Sequence, residues 1–174
     1  MLGNSPAPPR LVPDRPFPPY AYLPGRNPHP TRDAGGHSFG RPPDEPDAPD
    51  PERWQACDDY LYGIDLFNHG YYWEAHEAWE GLWHACDRRG VTATYLQALI
   101  NFAAAGLKVR WGNVRGIRGN SQTAARLFGQ VGPQTGRFMG LEVAVLLRWT
   151  TELSEQPTDS EASAVAFDFM LRPE

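Results

Sequence analysis

The sequence has little of what marks secreted or membrane proteins. It has only two cysteines, Cys57 and Cys86. Both stand at apolar positions of predicted helices, so we interpret them as buried free thiols, which suits a reducing compartment. The longest apolar stretches, 99–107 and 143–147, are too short to cross a bilayer, and the first twenty residues lack a signal-peptide core. We therefore expect a cytoplasmic protein without a membrane partner.

The chain also lacks a strong charge of either sign. Its net charge is −5. Because nucleic-acid-binding proteins usually carry a marked positive charge, we expect no nucleic-acid partner. The composition neither predicts nor excludes a homo-oligomer.

Proline is scarce after residue 51, because fifteen of the eighteen prolines precede residue 52. No helix can form through such spacing. We therefore divide the chain into a proline-rich arm with an acidic linker (1–50), partly packed on the domain, and a helical domain (51–174). Within the arm we expect 1–14 to be loose, 15–41 to lie extended against the domain, and 44–50 to form the linker.

Hydrophobic periodicity predicts about five helices behind this arm. The first begins at Asp50-Pro51, where aspartate caps and proline occupies the first helical position. No strand pairing is predicted, and we expect the apolar C-terminal segment to dock on the domain. The fold class is all-α, a compact bundle or irregular array with an extended arm. The predicted helices cover about 51–69, 71–86, 92–111, 114–128 and 140–154.

The second helix carries the residues best suited to metal binding or catalysis. His76, Glu80 and His84 are spaced i, i+4, i+8, and Glu77 lies beside them on the helical wheel. A histidine and a carboxylate one turn apart can bind a divalent metal, the only cofactor the sequence suggests, or act in general acid–base catalysis. The pattern is not the zinc-protease motif, because Glu80 stands where that motif has histidine.

A purely structural role for His76 is the alternative to metal binding and to catalysis. A histidine beside tryptophans at a core edge usually has its two nitrogens hydrogen-bonded and does no chemistry. The sequence alone favours this alternative.

Two further sets of residues are candidates for the same site. Gln97, Asn101 and Lys108 share one face of the third helix and, together with Glu77 of the second helix, are candidate ligand-binding residues. His29 and His37 of the arm are candidate metal ligands that would complete the site if the arm packs down. In the alternative interpretation the amides make contacts between helices and the arm histidines lie at the surface.

The fourth helix carries three arginines on one face, Arg115, Arg118 and Arg126. A helix N-terminus with arginines can hold an anion, although such a face is more often simply solvated. The glycines at 112–119 do not form a phosphate loop, since the GxxxxGK[ST] pattern and a preceding strand are both absent.

These residues also resemble a known family. The motif FNxGxYxxAHExxExxW at 67–83, with YLQALI at 95–100 and GNxxG at 112–116, is similar to the hallmark of the domain of unknown function 309 family of small bacterial helical proteins. The resemblance covers roughly 54–150 and implies an all-helical fold but no activity. Asn101 and Phe102 depart from the family pattern, which has glutamine or histidine followed by leucine.

Two functions remain open at this point. One is a polar or metal-binding pocket between the second and third helices, formed by His76, Glu80 and Gln97. The other is a non-enzymatic interaction module that uses the aromatic arm or an exposed helical face. Whether the protein is an enzyme is undecided.

Overall fold

A computed structural model describes residues 9–132, 136–157, 166–167 and 169–174. Within these residues the chain is mostly helical, which confirms the predicted fold class. None of the described helices is long and apolar enough to cross a bilayer. A 3-10 helix, Pro51–Ala56, comes first, followed by α1 (Asp58–Asn68), α2 (Tyr72–Ala85), α3 (Gly90–Arg110), α4 (Val114–Val131), the strands β1 (Arg137–Phe138) and β2 (Leu141–Glu142), and α5 (Val143–Glu155).

Helices that follow one another in the chain pack against one another, as their short connections require. Glycines allow two of these contacts to be close. A Cβ at Gly63 of α1 would come within 2.2 Å of the Trp79 ring of α2, and a Cβ at Gly106 of α3 within 2.7 Å of the Tyr72 ring. Trp79 is completely buried as a result.

The first predicted helix is in fact two elements. Asp50 caps the N-terminus as expected, since its carboxylate accepts a hydrogen bond from the Glu52 amide at 3.0 Å. The chain then leaves helical geometry at Arg53 and again at Cys57, so α1 begins only at Asp58. It ends where predicted, because Gly70 adopts a φ of +82°.

The prediction of no strand pairing is wrong. Arg137 pairs with Glu142 and Phe138 with Leu141 in a short antiparallel hairpin. Its two-residue turn, Met139-Gly140, has positive φ at both positions, the geometry that favours tight hairpins. Tertiary contacts hold this turn, because the Tyr60 hydroxyl donates to the Met139 carbonyl at 2.8 Å.

Both cysteines are free thiols, as predicted. They are only half-buried, and each stands at a helix end, Cys57 before α1 and Cys86 after α2, rather than inside a helix. Burial raises the pKa of both thiols.

The N-terminal arm lies on α1 and α2. The prediction that 1–14 is loose is wrong for 10–12, because buried Asp65 of α1 accepts hydrogen bonds from the amides of Leu11 (2.8 Å) and Val12 (2.9 Å) and from Arg10 Nε (3.2 Å). Residues 1–8 lie outside the described part of the chain. Further along, Phe17 stacks on Tyr71.

The C-terminal segment docks on the domain, as expected, in a non-helical conformation. The Asn68 side chain clamps the Leu171 backbone, donating to its carbonyl and accepting from its amide, both at 2.8 Å. Phe167 and Phe169 stack on one another, and Phe102 of α3 stacks on Phe169 and meets Phe167 at a tilt. Residues 164–165 and 168 of this predicted segment lie outside the described residues.

Candidate metal site on the second helix

The structure brings His76, Glu77 and Glu80 of α2 together at the surface. Helical spacing brings the three side chains together at Glu80, which lies four residues after His76 and three residues after Glu77. Nδ1 of His76 lies 3.4 Å from Oε1 of Glu77, and Nε2 lies 3.9 Å from Oε2 of Glu80. One ligand atom from each residue falls within 4.8 Å of the other two. We call this group the His–Glu cluster.

The cluster is partly sheltered but open to solvent. The side chains of His76, Glu77 and Glu80 are 26%, 38% and 39% exposed. Burial lowers the pKa of His76, and the charge of Glu80 partly opposes that shift. The imidazole is therefore biased towards the neutral form that binds metals.

Negative charge accumulates in the cluster without a basic side chain to balance it. Burial, followed by the carboxylates of Glu80 and Glu74, raises the pKa of Glu77 to about 7. In the described part of the chain, Glu77 and Glu80 form ion pairs with His76 alone, and no lysine or arginine approaches them. A group of this kind favours a cation, because a cation would relieve the repulsion between the carboxylates.

The arm reaches the edge of this cluster at Trp73. The ring of His76 meets Trp73 edge-on at 6.5 Å between centroids, and the arm residues Tyr22, His29 and His37 meet the same tryptophan at 5.8, 5.6 and 6.3 Å. His29 and His37 are thus neighbours of the cluster, but neither belongs to the described group of ligand atoms.

His37 has a different partner, Glu74. Its Nε2 lies 3.1 Å from Glu74 Oε1, and the same oxygen accepts the Tyr22 amide at 2.9 Å. Glu74 is 5% exposed, and burial raises the pKa of its carboxyl. Glu74 therefore anchors the arm beside the cluster, as Asp65 anchors it further upstream.

Four other candidate residues, on α2 and α3, have contacts of their own. His84 is exposed, and its Nδ1 accepts hydrogen bonds from Arg88. Asn101 donates to the Gln97 carbonyl within α3 at 2.8 Å. Lys108 lies near the C-terminal end of α3, with its Nζ 4.4 Å from the centre of the Trp111 ring. Among the described contacts, none of the four makes a hydrogen bond to His76 or Glu80.

Sequence reasoning missed Glu74 and Asp65 as anchors of the arm. Both are acidic residues in predicted helices, where a solvent-facing position is the default expectation. One signal was available in the sequence. An arm rich in aromatic residues needs a surface on which to pack, and its backbone amides then need buried acceptors.

The fold and the cluster define a small helical protein with a histidine and two glutamates grouped on one helix. Residues 60–120 of the chain match the sequence profile of a family described as Domain of unknown function (DUF309), which confirms the predicted family. The matched segment runs from α1 into α4 and includes the whole His–Glu cluster. No curated protein and no solved structure matches the chain significantly.

Proposed function

We propose that the protein binds one divalent transition-metal ion through His76, Glu77 and Glu80. The observation that carries the proposal is the convergence of three ligand atoms within 4.8 Å in the described structure, with no basic residue paired to the glutamates. One imidazole nitrogen and two carboxylate oxygens suit Zn²⁺, Mn²⁺ or Fe²⁺.

The distances are compatible with binding after a small contraction. Metal–ligand bonds of about 2.1 Å place neighbouring ligand atoms roughly 3.0 to 3.4 Å apart. The cluster must therefore close by at most about 1.4 to 1.8 Å at its widest. Because both glutamate side chains are more than a third exposed, rotation about their χ angles supplies this closure without moving the helix.

Three protein ligands would leave at least one coordination position for water or a substrate. Such open positions are characteristic of catalytic metal sites, whereas structural zinc sites have four protein ligands. Gln97, Asn101 and Lys108 are left out of this proposal, since no described contact connects them with the cluster. A bacterial origin and a cytoplasmic location stay as predictions.

Metal content tests the proposal directly. We expect about one metal ion per chain in the untagged protein by plasma mass spectrometry, and loss of that ion in His76→Ala and Glu80→Gln variants that keep their helical circular dichroism. His84→Ala is the matched control, because His84 lies on the same helix outside the cluster. Removing one ligand should weaken Zn²⁺ or Mn²⁺ binding by at least about tenfold in calorimetric titration.

The contrary results are equally clear. A wild-type protein that binds neither metal at micromolar concentration would refute the proposal, as would equal losses in the His84→Ala control. Unfolding of His76→Ala without metal in the wild type would favour the structural alternative for this histidine.

The second candidate function, an interaction module, is supported by exposed apolar side chains at the α3–α4 turn. Trp111 is 43% and Val114 42% exposed. The arm is a weaker candidate for docking a partner, because Phe17 and Leu23 are already packed on the domain.

A further inference from the structure

The charges of this chain are strongly segregated. Between Asp87 and Glu142 the sequence has eight basic residues and no acidic one, so all 21 acidic residues lie outside this stretch. The stretch contains α3 and α4 entirely. Positive charge is therefore concentrated on α3 and α4, and the nearest exposed acidic residues on a packed neighbour are Glu152 and Glu155 of α5.

The positive charge is accessible on the outer face of α4. Arg115, Arg118 and Arg126 are all exposed, with Gln122 between them. Within the described structure Arg115 and Arg126 form no ion pair, and Arg118 donates only to the Ser154 carbonyl at 3.4 Å. The three arginines extend over twelve residues, or about 16 Å of helix.

This face also allows close approach, and it ends in an aromatic ring. A Cβ at Gly119 or Gly129 would have no described atom within 4 Å, so the helix backbone there is open to a partner. Trp111 stands just before the first turn of α4 with Val114 beside it, and both are exposed. Tryptophan and arginine are the residues most often dominant in protein interfaces. We call this surface the α4 basic face.

The chain itself contains a segment with the complementary chemistry. Residues 42–48 read PPDEPDA, and all of them except Pro46 are exposed. Glu45 and Asp47 form no ion pair in the described structure, and Asp44 makes only a long one with Arg15 at 3.8 Å. The prolines of an extended segment can pack on an exposed aromatic ring, and its carboxylates can form paired hydrogen bonds with arginine guanidinium groups.

This segment does not reach the α4 basic face within one molecule. Pro46 lies against Gly81 of α2, whereas α4 packs on α3 and α5. Among the described contacts, 42–48 makes no hydrogen bond or ion pair with α4. The two surfaces are therefore both free for contact between molecules.

We propose that the α4 basic face binds the acidic proline segment, 42–48, of a second copy of this chain. Trp111 receives a proline ring, and Arg115 and Arg118 pair with Glu45 and Asp47. The contact is heterologous, because the two partners use different surfaces, so copies add head to tail instead of forming a two-fold dimer. This inference does not depend on the proposed metal site.

Salt dependence is the first test, with the full chain in sedimentation velocity. At about 0.5 mM protein and about 25 mM salt, we expect the average mass to exceed that of a monomer, and at about 0.5 M salt to fall back to it. R115E/R118E and E45R/D47R should each weaken association by at least about tenfold. R26E/R32E, with the same charge change at exposed arm residues, should leave association unchanged.

Mixing two charge-neutralised variants, R115Q/R118Q and E45Q/D47N, is the decisive test, because two charge-reversed surfaces would attract each other. R115Q/R118Q retains an intact acidic segment, and E45Q/D47N retains an intact basic face. Each is monomeric alone, and a mixture forms a discrete 1:1 complex because each molecule offers one functional surface. Trp111→Ala should weaken the same complex. A change in tryptophan fluorescence on mixing that disappears in Trp111→Ala reports the contact at this ring.

Several outcomes would overturn the proposal. A wild type that stays monomeric at low salt contradicts it, as does a mixture without a 1:1 complex. Association that survives in R115E/R118E would show that another surface is used. A monomeric wild type that binds a single-stranded oligonucleotide or anionic vesicles through Arg115 and Arg118 would assign the face to a different partner.

Discussion

Replacing Asp65 with asparagine is expected to release the start of the arm from the helical domain. Asp65 is fully buried, and its two oxygens accept hydrogen bonds from the amides of Leu11 and Val12 and from the Arg10 guanidinium. An asparagine keeps one acceptor oxygen and turns the other position into an amide donor. At least one of the three arm donors then faces another donor in a buried place.

The magnitude follows from the number of lost interactions. A hydrogen bond to a charged group contributes about 1.5 to 3 kcal/mol, and an unsatisfied buried donor costs about 1 to 3 kcal/mol more. We expect a loss of about 2.5 to 6 kcal/mol in the free energy of docking the arm. If the arm detaches completely, the loss in the free energy of global unfolding cannot exceed the whole free energy with which the arm docks in the wild type.

Two measurements separate these effects. Hydrogen exchange should show the amides of Leu11 and Val12 exchanging at least about tenfold faster in Asp65→Asn, with little change in α3. Urea unfolding gives the global loss. Asp59→Asn is the control, because its ion pair with Arg15 is more than a third exposed on both sides and should contribute under about 1 kcal/mol. Unchanged exchange at Leu11 and Val12 would refute the role of Asp65 as an anchor.

Three further predictions concern packing, the C-terminal segment and the cluster. Gly63→Ala should lower the free energy of unfolding in urea by about 1 to 3 kcal/mol, because its Cβ would strike Trp79. Gly119→Ala is the control and should raise it by up to about 1 kcal/mol, because its Cβ meets open space and alanine has the better helix propensity. Equal effects of the two substitutions would contradict the close approach of Gly63 to Trp79. Asn68→Ala should cost about 2 kcal/mol and expose the C-terminal segment to limited proteolysis, because two buried hydrogen bonds are lost; unchanged cleavage would speak against the clamp. Metal affinity should rise with pH up to about 7 and then level off, because the pKa of Glu77 is raised to about 7 and a metal must displace its proton below that pH. Calorimetric titration between about pH 5.5 and 8.5 measures this, and Glu77→Gln should flatten the profile.

The prediction of the helices succeeded where local signals were strong. Gly70 and Asn113 mark helix boundaries in the sequence and do so in the structure, with φ of +82° at Gly70 and the Asn113 side chain accepting the Gly116 amide at 2.8 Å. The grouping of His76 with Glu80 also follows from the sequence, because spacing on one helix brings them together before any tertiary contact forms.

Other features depend on residues distant in the chain, and sequence periodicity carries no information about them. The Met139-Gly140 turn is held by Tyr60, which lies 79 residues earlier. Likewise the pairing of His37 with Glu74, and not with His76, depends on how the arm crosses Trp73. Such contacts are chosen by packing and by the need to satisfy buried polar groups.

The sequence alone thus determined the helical class, the two free thiols, the family resemblance over residues 60–120 and a histidine–glutamate pair on one helix, because each of these rests on local spacing or composition. Only the tertiary structure decided that the first predicted helix breaks before α1, and that buried Asp65 and Glu74 bind the arm. Those outcomes depend on which side chains meet across the core, where burial sets the energetic value of every polar contact.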